Sequence, residues 1–251
     1  NVFNLANIIM NGSAGLDQKI DARRQLQSLF ATAQLGYNEF VYLDLSARND
    51  WSSTLAYTSH EKSGFFYPSV GFSLIFNKLM TLPQWVSLAK IRGAYSMVGN
   101  DIPMFITNPS SHITAGGEFL ASDAAPFKDM EPEMTHSFEA GIEARFLKNR
   151  IGLNATFYKT NTRNQFFKLP TLSGDKYAYR YVNAGDIQNV GWEISLDAVP
   201  LLTNHFKWKT EVNFSTNRNK IISLHEALKE FLYGPTSFSS SYAMKLVKGG
   251  S

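Results

Sequence analysis

Two carboxylates flanking a glycosidic bond make a glycosidase, so the acidic pairs are weighed first. Glu139 and Glu143 lie four residues apart in a stretch that alternates between polar and apolar side chains. On one strand face that spacing separates the carboxyls by about 13 Å, beyond the roughly 5 to 9.5 Å that either hydrolytic mechanism uses. The pair is excluded as a dyad within one strand. Glu131 and Glu133 would stand about 7 Å apart in extended chain, but they flank Pro132 at a loop-to-strand junction and read as a solvated strand entrance.

Metal and nucleophile chemistry find no better footing. His225-Glu226 begins like a zinc-binding helix motif, but Lys229 stands where the second histidine belongs, and it cannot ligate while protonated. His60-Glu61 is followed at that spacing by Gly64, and His112, His136 and His205 have no partner at ligand spacing, so solvated histidines are the default. There is no cysteine, which removes disulfides and thiolate sites together. No Walker loop, dinucleotide fingerprint or nucleophile elbow occurs. No catalytic residue, metal or cofactor is expected.

Composition narrows the class. A chain of 251 residues at 44% hydrophobic has room for one large all-β unit or two ordinary domains. The net charge of +3 is small and its Lys and Arg residues are scattered, which speaks against nucleic acid as a partner. No run approaches the roughly 18 apolar residues of a membrane helix, so any membrane role must be a barrel's. The first residues lack the basic start and apolar core of a signal peptide, and Lys248 to Ser251 read like the middle of a loop. The expectation is a piece of a longer protein.

The elements that would position side chains are strands. In Thr135 to Thr160, Phe138, Ala140, Ile142, Ala144 and Phe146 alternate with Ser137, Glu139, Gly141, Glu143 and Arg145. After a four-residue turn, Ile151, Leu153, Ala155 and Phe157 alternate with Gly152, Asn154, Thr156 and Tyr158. The same pattern predicts strands over Ser28 to Tyr37, Phe40 to Asp50, Phe66 to Phe76, Trp85 to Met97, Gln188 to Val199 and Phe206 to Ser215. Pro200 to His205 reads as a turn and Ile222 to Phe231 as a short helix in an otherwise loop-like tail.

That makes eight strands in four hairpins. Turns after Tyr37, Phe76, Phe146 and Val199 are short, whereas those after Asp50, Met97, Thr160 and Asn217 are long. Alternation alone also describes a soluble sheet, but sorting of loops by length is the habit of an outer-membrane barrel. The alternative reading is a soluble or surface-attached glycan-binding β-sandwich. The two separate on whether the apolar stripe is exposed in a continuous band about 25 Å tall or covered by a second sheet.

Several blocks carry a family resemblance. Arg48-Asn-Asp-Trp-Ser-Ser-Thr-Leu55, Phe66-Tyr-Pro-Ser-Val-Gly71, Ile91-Arg-Gly-Ala-Tyr-Ser-Met-Val-Gly-Asn-Asp101 and Glu131-Pro-Glu-Met-Thr135 are among them. Phe157-Tyr-Lys-Thr160, Asn183-Ala-Gly-Asp-Ile-Gln-Asn-Val-Gly-Trp-Glu193 and Asn213-Phe-Ser-Thr-Asn217 complete the set. In this order they resemble the SusC/RagA family of TonB-linked outer-membrane transporters of Bacteroidetes.

The resemblance implies an all-β, antiparallel up-and-down transmembrane barrel, of which residues 1–251 would supply about eight consecutive strands out of 22. It also implies a plug inside the barrel, a SusD-like lipoprotein lid, and import of oligosaccharides or peptides driven by TonB across the bacterial outer membrane. The carboxypeptidase-like domain, TonB box, plug, amino-terminal strands and final strands are not among these residues.

On that reading Asp44, Arg48, Asp50, Lys90, Arg92, Glu139, Glu143, Arg145, Glu193, Asp197, Lys207 and Glu211 line the lumen, pairing with one another or with the plug. Phe138, Phe157, Trp192, Phe206 and Trp208 face lipid or its interface. Tyr177, Tyr179 and Tyr181 carry two readings: they contact substrate or lid, or they pack loops against each other.

Overall fold

The computed structural model describes residues 23–109, 111–113, 119–128, 130–171, 174–183, 185–224, 230–233 and 244–250. Its body is one antiparallel sheet of eight strands. These are β1 (Leu26–Tyr37), β2 (Val41–Ser52), β3 (Phe65–Ile75), β4 (Val86–Asn100), β7 (Glu133–Phe146), β8 (Ile151–Arg163), β11 (Asp186–Leu202) and β12 (Lys207–Ser223). They pair in chain order, each beside its predecessor.

The remaining elements sit in the connections. A 3-10 turn at Ser53–Leu55 and helical turn α1 (Phe76–Leu79) follow β2 and β3. Two short hairpins fill long loops: β5 (His112–Ile113) with β6 (Phe119–Leu120), and β9 (Phe166–Pro170) with β10 (Tyr179–Asn183). Beyond the sheet, β13 (Glu230–Tyr233) pairs with β14 (Met244–Val247). Among the described residues no helix is long and apolar enough to cross a membrane.

The strands outrun the apolar pattern at the long-loop end. β8 continues through Thr160-Asn-Thr-Arg163 and β12 through Thr216-Asn-Arg-Asn-Lys220, where neither face is apolar. Backbone pairing with the adjacent strand sustains them, and that pairing leaves no trace in hydropathy. The tail is corrected accordingly: Ile222 belongs to β12 and Phe231 to β13, so the expected helix is replaced by strand at both ends, while residues 225–229 lie outside the described residues. The loop read between Thr160 and Asp186 contains the β9–β10 hairpin.

Two further boundaries move. Phe76, expected on the apolar face of β3, starts α1 instead. The turn expected from Pro200 is pushed on to Thr203–Phe206, because β11 absorbs Pro200 in a register shift between Ala198 and Leu201. A bulge is where a strand tolerates the missing donor of proline. The shortest turn, the three residues Asn38, Glu39 and Phe40, has Asn38 and Glu39 at positive φ and is closed by the Phe40 N–H donating to the Tyr37 carbonyl at 3.1 Å, a twist that suits a tight hairpin.

Register aligns the apolar side chains into rows across the whole sheet. One runs Tyr37, Val41, Leu74, Ile91, Ile142, Ala155, Ile194, Phe214. These side chains do not form a core. Ile142 is 45% exposed and Val212 59%, with Phe72, Trp192, Leu196 and Phe214 similarly open. No second sheet covers this face among the described residues.

The buried apolar cluster is elsewhere. Leu55, Phe65, Ile102, Ile106 and Met130 close on one another at the long-loop end, flanked by Tyr67, Phe127, Phe166 and Tyr181. The sheet is thus left apolar and bare on one side while its loops build their own core.

Candidate functional site

The face opposite the apolar rows is mostly polar, interrupted by Phe30, Val98, Ile187 and Ile221 in a row toward the long loops. Its upper part carries one row in which every strand contributes a neutral hydroxyl or amide: Thr32, Ser46, Ser69, Ser96, Ser137, Thr160, Asn189, Asn219. Within it Ser137 and Thr160 hydroxyls meet at 3.4 Å and Asn219 donates to Asn189 at 3.0 Å. Sequence reading missed this row, because singly each residue is an ordinary strand polar and only register puts them side by side.

Charged residues occupy the rows above and below. Asp44 accepts from Gln34 at 2.6 Å, and Arg48 pairs with Asp50 at 2.7 Å while also donating to Ser28. Lys90 stands opposite Glu143 in register, but Glu143 has its ion-pair contact with Arg145 at 3.7 Å. Glu139 lies opposite Tyr158, Glu193 between Thr156 and Ser215, and Lys207 opposite Leu202. Glu211 pairs with Lys209 at 3.5 Å.

Three long side chains on this face cross a whole strand, each over a glycine. Arg92 on β4 passes over Gly141 to donate to Thr156 on β8 at 2.7 Å. Arg145 on β7 passes over Gly152 to Asp197 on β11 at 3.5 Å. Tyr158 on β8 lies over Gly191 and directs its hydroxyl to the Thr216 carbonyl on β12 at 3.4 Å. A Cβ on Gly141 or Gly191 would fall within 2.8 Å of the crossing chain, and one on Gly152 would lie 3.0 Å from Arg145 Nη1 and 2.2 Å from Asp197 Oδ1. Missing side chains therefore let β4, β7, β8, β11 and β12 be tied in overlapping pairs on the polar side.

Where strands meet the long loops, the sequence blocks that carry the family resemblance bond one to the next. Tyr67 donates to buried Asp50. Ser52 donates to Asp101 at 2.8 Å, and Thr54 and Arg24 donate to the same carboxylate. Asn100 donates to Glu133 at 3.0 Å. Asn183 accepts from the Glu131 amide and donates to the Glu131 and Asn164 carbonyls, while the Asn164 side chain donates to the Glu131 carboxylate. Glu131 and Glu133 are thus held in a junction rather than standing free at a strand entrance.

The three tyrosines divide. Tyr181 packs on the loop cluster with its ring edge against Phe166, and burial, followed by the neighbouring Tyr179, pushes its phenol above the ordinary range. Tyr179 stands perpendicular to Tyr181, with the Lys168 ammonium 3.5 Å above its ring. Tyr177 has Lys176 5.2 Å from its ring. Among the histidines, His136 Nδ1 meets the Tyr95 hydroxyl at 2.8 Å on the apolar face, so it is partnered rather than solvated. No group of three or more ligating side chains capable of holding a metal occurs among the described residues.

A sheet with one exposed apolar face, one polar face, short turns at one end and packed loops at the other is the wall of an outer-membrane β-barrel. The chain belongs to the family of TonB dependent receptor-like β-barrels, whose model matches residues 4–229. It is 25% identical over 208 residues to TonB-dependent receptor P39 of Formosa agariphila, covering 79% of this chain and 20% of that protein. It is 25% identical over 227 residues to TonB-dependent receptor SusC of Bacteroides thetaiotaomicron, covering 81% and 22%. Among solved structures, the RagAB peptide importer in its open-open state superposes with a TM-score of 0.77 at 23% identity, over 94% of this chain and 26% of that one. The fold is therefore that of a SusC/RagA-like receptor of the outer membrane, and the chain spans about a fifth of the length of the curated relatives it matches.

Proposed function

We propose that these residues are part of the barrel of a TonB-dependent importer of polar nutrients, oligosaccharides or peptides. The apolar rows face lipid, and the polar wall faces the lumen. In this reading residues 1–251 are barrel throughout, with plug and further strands supplied by the rest of the protein. A SusD-like lipoprotein closes the extracellular mouth and TonB acts through the plug. The wall performs no covalent chemistry.

The observation that carries the reading is the eight-strand row of neutral hydroxyls and amides from Thr32 to Asn219, set directly above a charged zone. Neutral donors and acceptors offer a moving solute exchangeable hydrogen bonds without the tight hold of a fixed ion pair. Of the charges below, Glu143, Arg145 and Asp197 join in one chain of contacts and Lys209 pairs with Glu211, whereas Lys90, Glu139, Glu193 and Lys207 have no ion-pair contact among the described residues. In this reading Tyr177 and Tyr179, at the β9–β10 hairpin, contact substrate or lid, whereas Tyr181 packs on the loop cluster.

The test is uptake by cells carrying the full-length receptor, with labelled oligosaccharides and labelled peptides supplied separately. Uptake of one class that is lost on deleting the receptor or TonB supports the proposal. Equal uptake with and without the receptor, for both classes, would overturn it.

A further inference from the structure

The apolar face does not stay apolar to its upper edge. Its aromatic row Tyr95, Phe138 continues in register into Lys159, Val190 and Arg218. The next row upward is Met97, His136, Asn161, Gln188, Lys220, and above it Arg163 stands opposite Asp186. The lower rows of this face, down to Phe146 and Ile151, hold no charged side chain.

Four cations and one carboxylate thus share a strip on the side of the sheet that faces lipid. Asp186 is taken, by Arg163 at 3.5 Å and Asn161 at 2.8 Å. Lys159, Arg218 and Lys220 are exposed and have no ion-pair partner among the described residues. Eight residues separate Phe138 from Phe146; along a strand leaning 35 to 45° this is roughly 20 Å of height, close to a barrel's apolar band. The strip therefore sits at headgroup level, on the long-loop side.

We infer that Lys159, Arg218 and Lys220 bind a phosphate of an outer-leaflet lipid. Lys159 and Arg218 lie two strands apart, about 10 Å between backbones, and Arg218 and Lys220 about 7 Å. Long flexible cations at those separations converge on one phosphate. The inference rests on the membrane orientation given above and is independent of what is imported.

The test uses the full-length receptor in detergent, with bound lipid counted by native mass spectrometry. Three probes are added: diphosphoryl lipid A, the same lipid with its phosphates removed, and inorganic phosphate. The phosphorylated lipid is expected to be retained at least about tenfold over the dephosphorylated one, since each interfacial cation contributes separately. The triple variant K159Q/R218Q/K220Q loses that preference, whereas the charge-preserving K159R/R218K/K220R keeps it, which separates charge from misfolding. Equal retention of both lipids, a preference that survives in the glutamine variant, or full competition by inorganic phosphate would each overturn the assignment. Uptake by the glutamine variant stays at the wild-type level, so loss of the lipid result leaves the transport reading standing.

Discussion

Arg145 reaches Asp197 across an entire intervening strand, and the residue it crosses is Gly152. A Cβ there would lie 2.2 Å from Asp197 Oδ1 and 3.0 Å from Arg145 Nη1. Gly152→Ala is accordingly expected to destabilise the barrel by about 1 to 3 kcal/mol, the usual cost of overpacking. Thermal unfolding of the full receptor in detergent reads it. In an Asp197→Ala background the same substitution costs measurably less, because its main obstacle has gone. Additive losses would argue that the glycine serves backbone freedom instead.

Neighbouring residues on β11 test which face meets lipid. Ile194→Arg places a charge in the apolar row at mid-height, with an expected folding penalty of about 2 to 4 kcal/mol in lipid vesicles. Ser195→Arg, one residue on, points into the polar wall and is expected to cost far less. A reversed order of the two penalties would invert the assignment of faces.

Asp101 collects donors from Ser52, Thr54 and Arg24 beside the buried cluster of Leu55, Phe65, Ile102, Ile106 and Met130. Asp101→Ala leaves the Ser52 and Thr54 hydroxyls without this acceptor, a loss of about 1 to 3 kcal/mol. The effect is local, since the sheet below retains its ladder. Limited proteolysis should therefore cut faster within residues 101–130 while the β7–β8 hairpin resists as before. Unchanged cleavage there would mean the apolar cluster alone holds the loops.

The turn between β1 and β2 is tied to α1 by Lys78 donating to Glu39 at 2.6 Å. The hydrogen bond and then the charge of Lys78 hold the Glu39 carboxyl below its ordinary 4.5, and Glu39 raises Lys78 above 10.5. Glu39's contribution is present above its unfolded value and fades as pH falls through the lowered folded one. That of Lys78 is complete below its unfolded value and fades as pH rises through the raised folded one. Both groups are exposed, so the consequence is confined to the turn. Amide exchange at Ile75, whose N–H donates to the Phe40 carbonyl at 2.8 Å, is expected to slow less on acidification than its intrinsic rate does, leaving an excess of exchange as protection is lost. Glu39→Gln should remove that excess.

Period-two alternation from Ser137 to Tyr158 was enough to read two-faced strands, and the length-sorted turns to read a barrel, because both follow from local rules: side chains alternate across a pleat, and short turns need few residues. Charge and polarity along Asp44 to Asp50 or Glu139 to Arg145 likewise marked one face. Partners did not follow. That Ser96 stands beside Ser137, that Gly141 and Gly152 are gaps for Arg92 and Arg145, and that Asp101 closes on Ser52 all depend on register between strands up to 49 residues apart. Strand ends at Arg163 and Ser223 were hidden for a related reason: above the apolar band the backbone ladder alone holds the chain extended, and every residue except proline carries the same ladder.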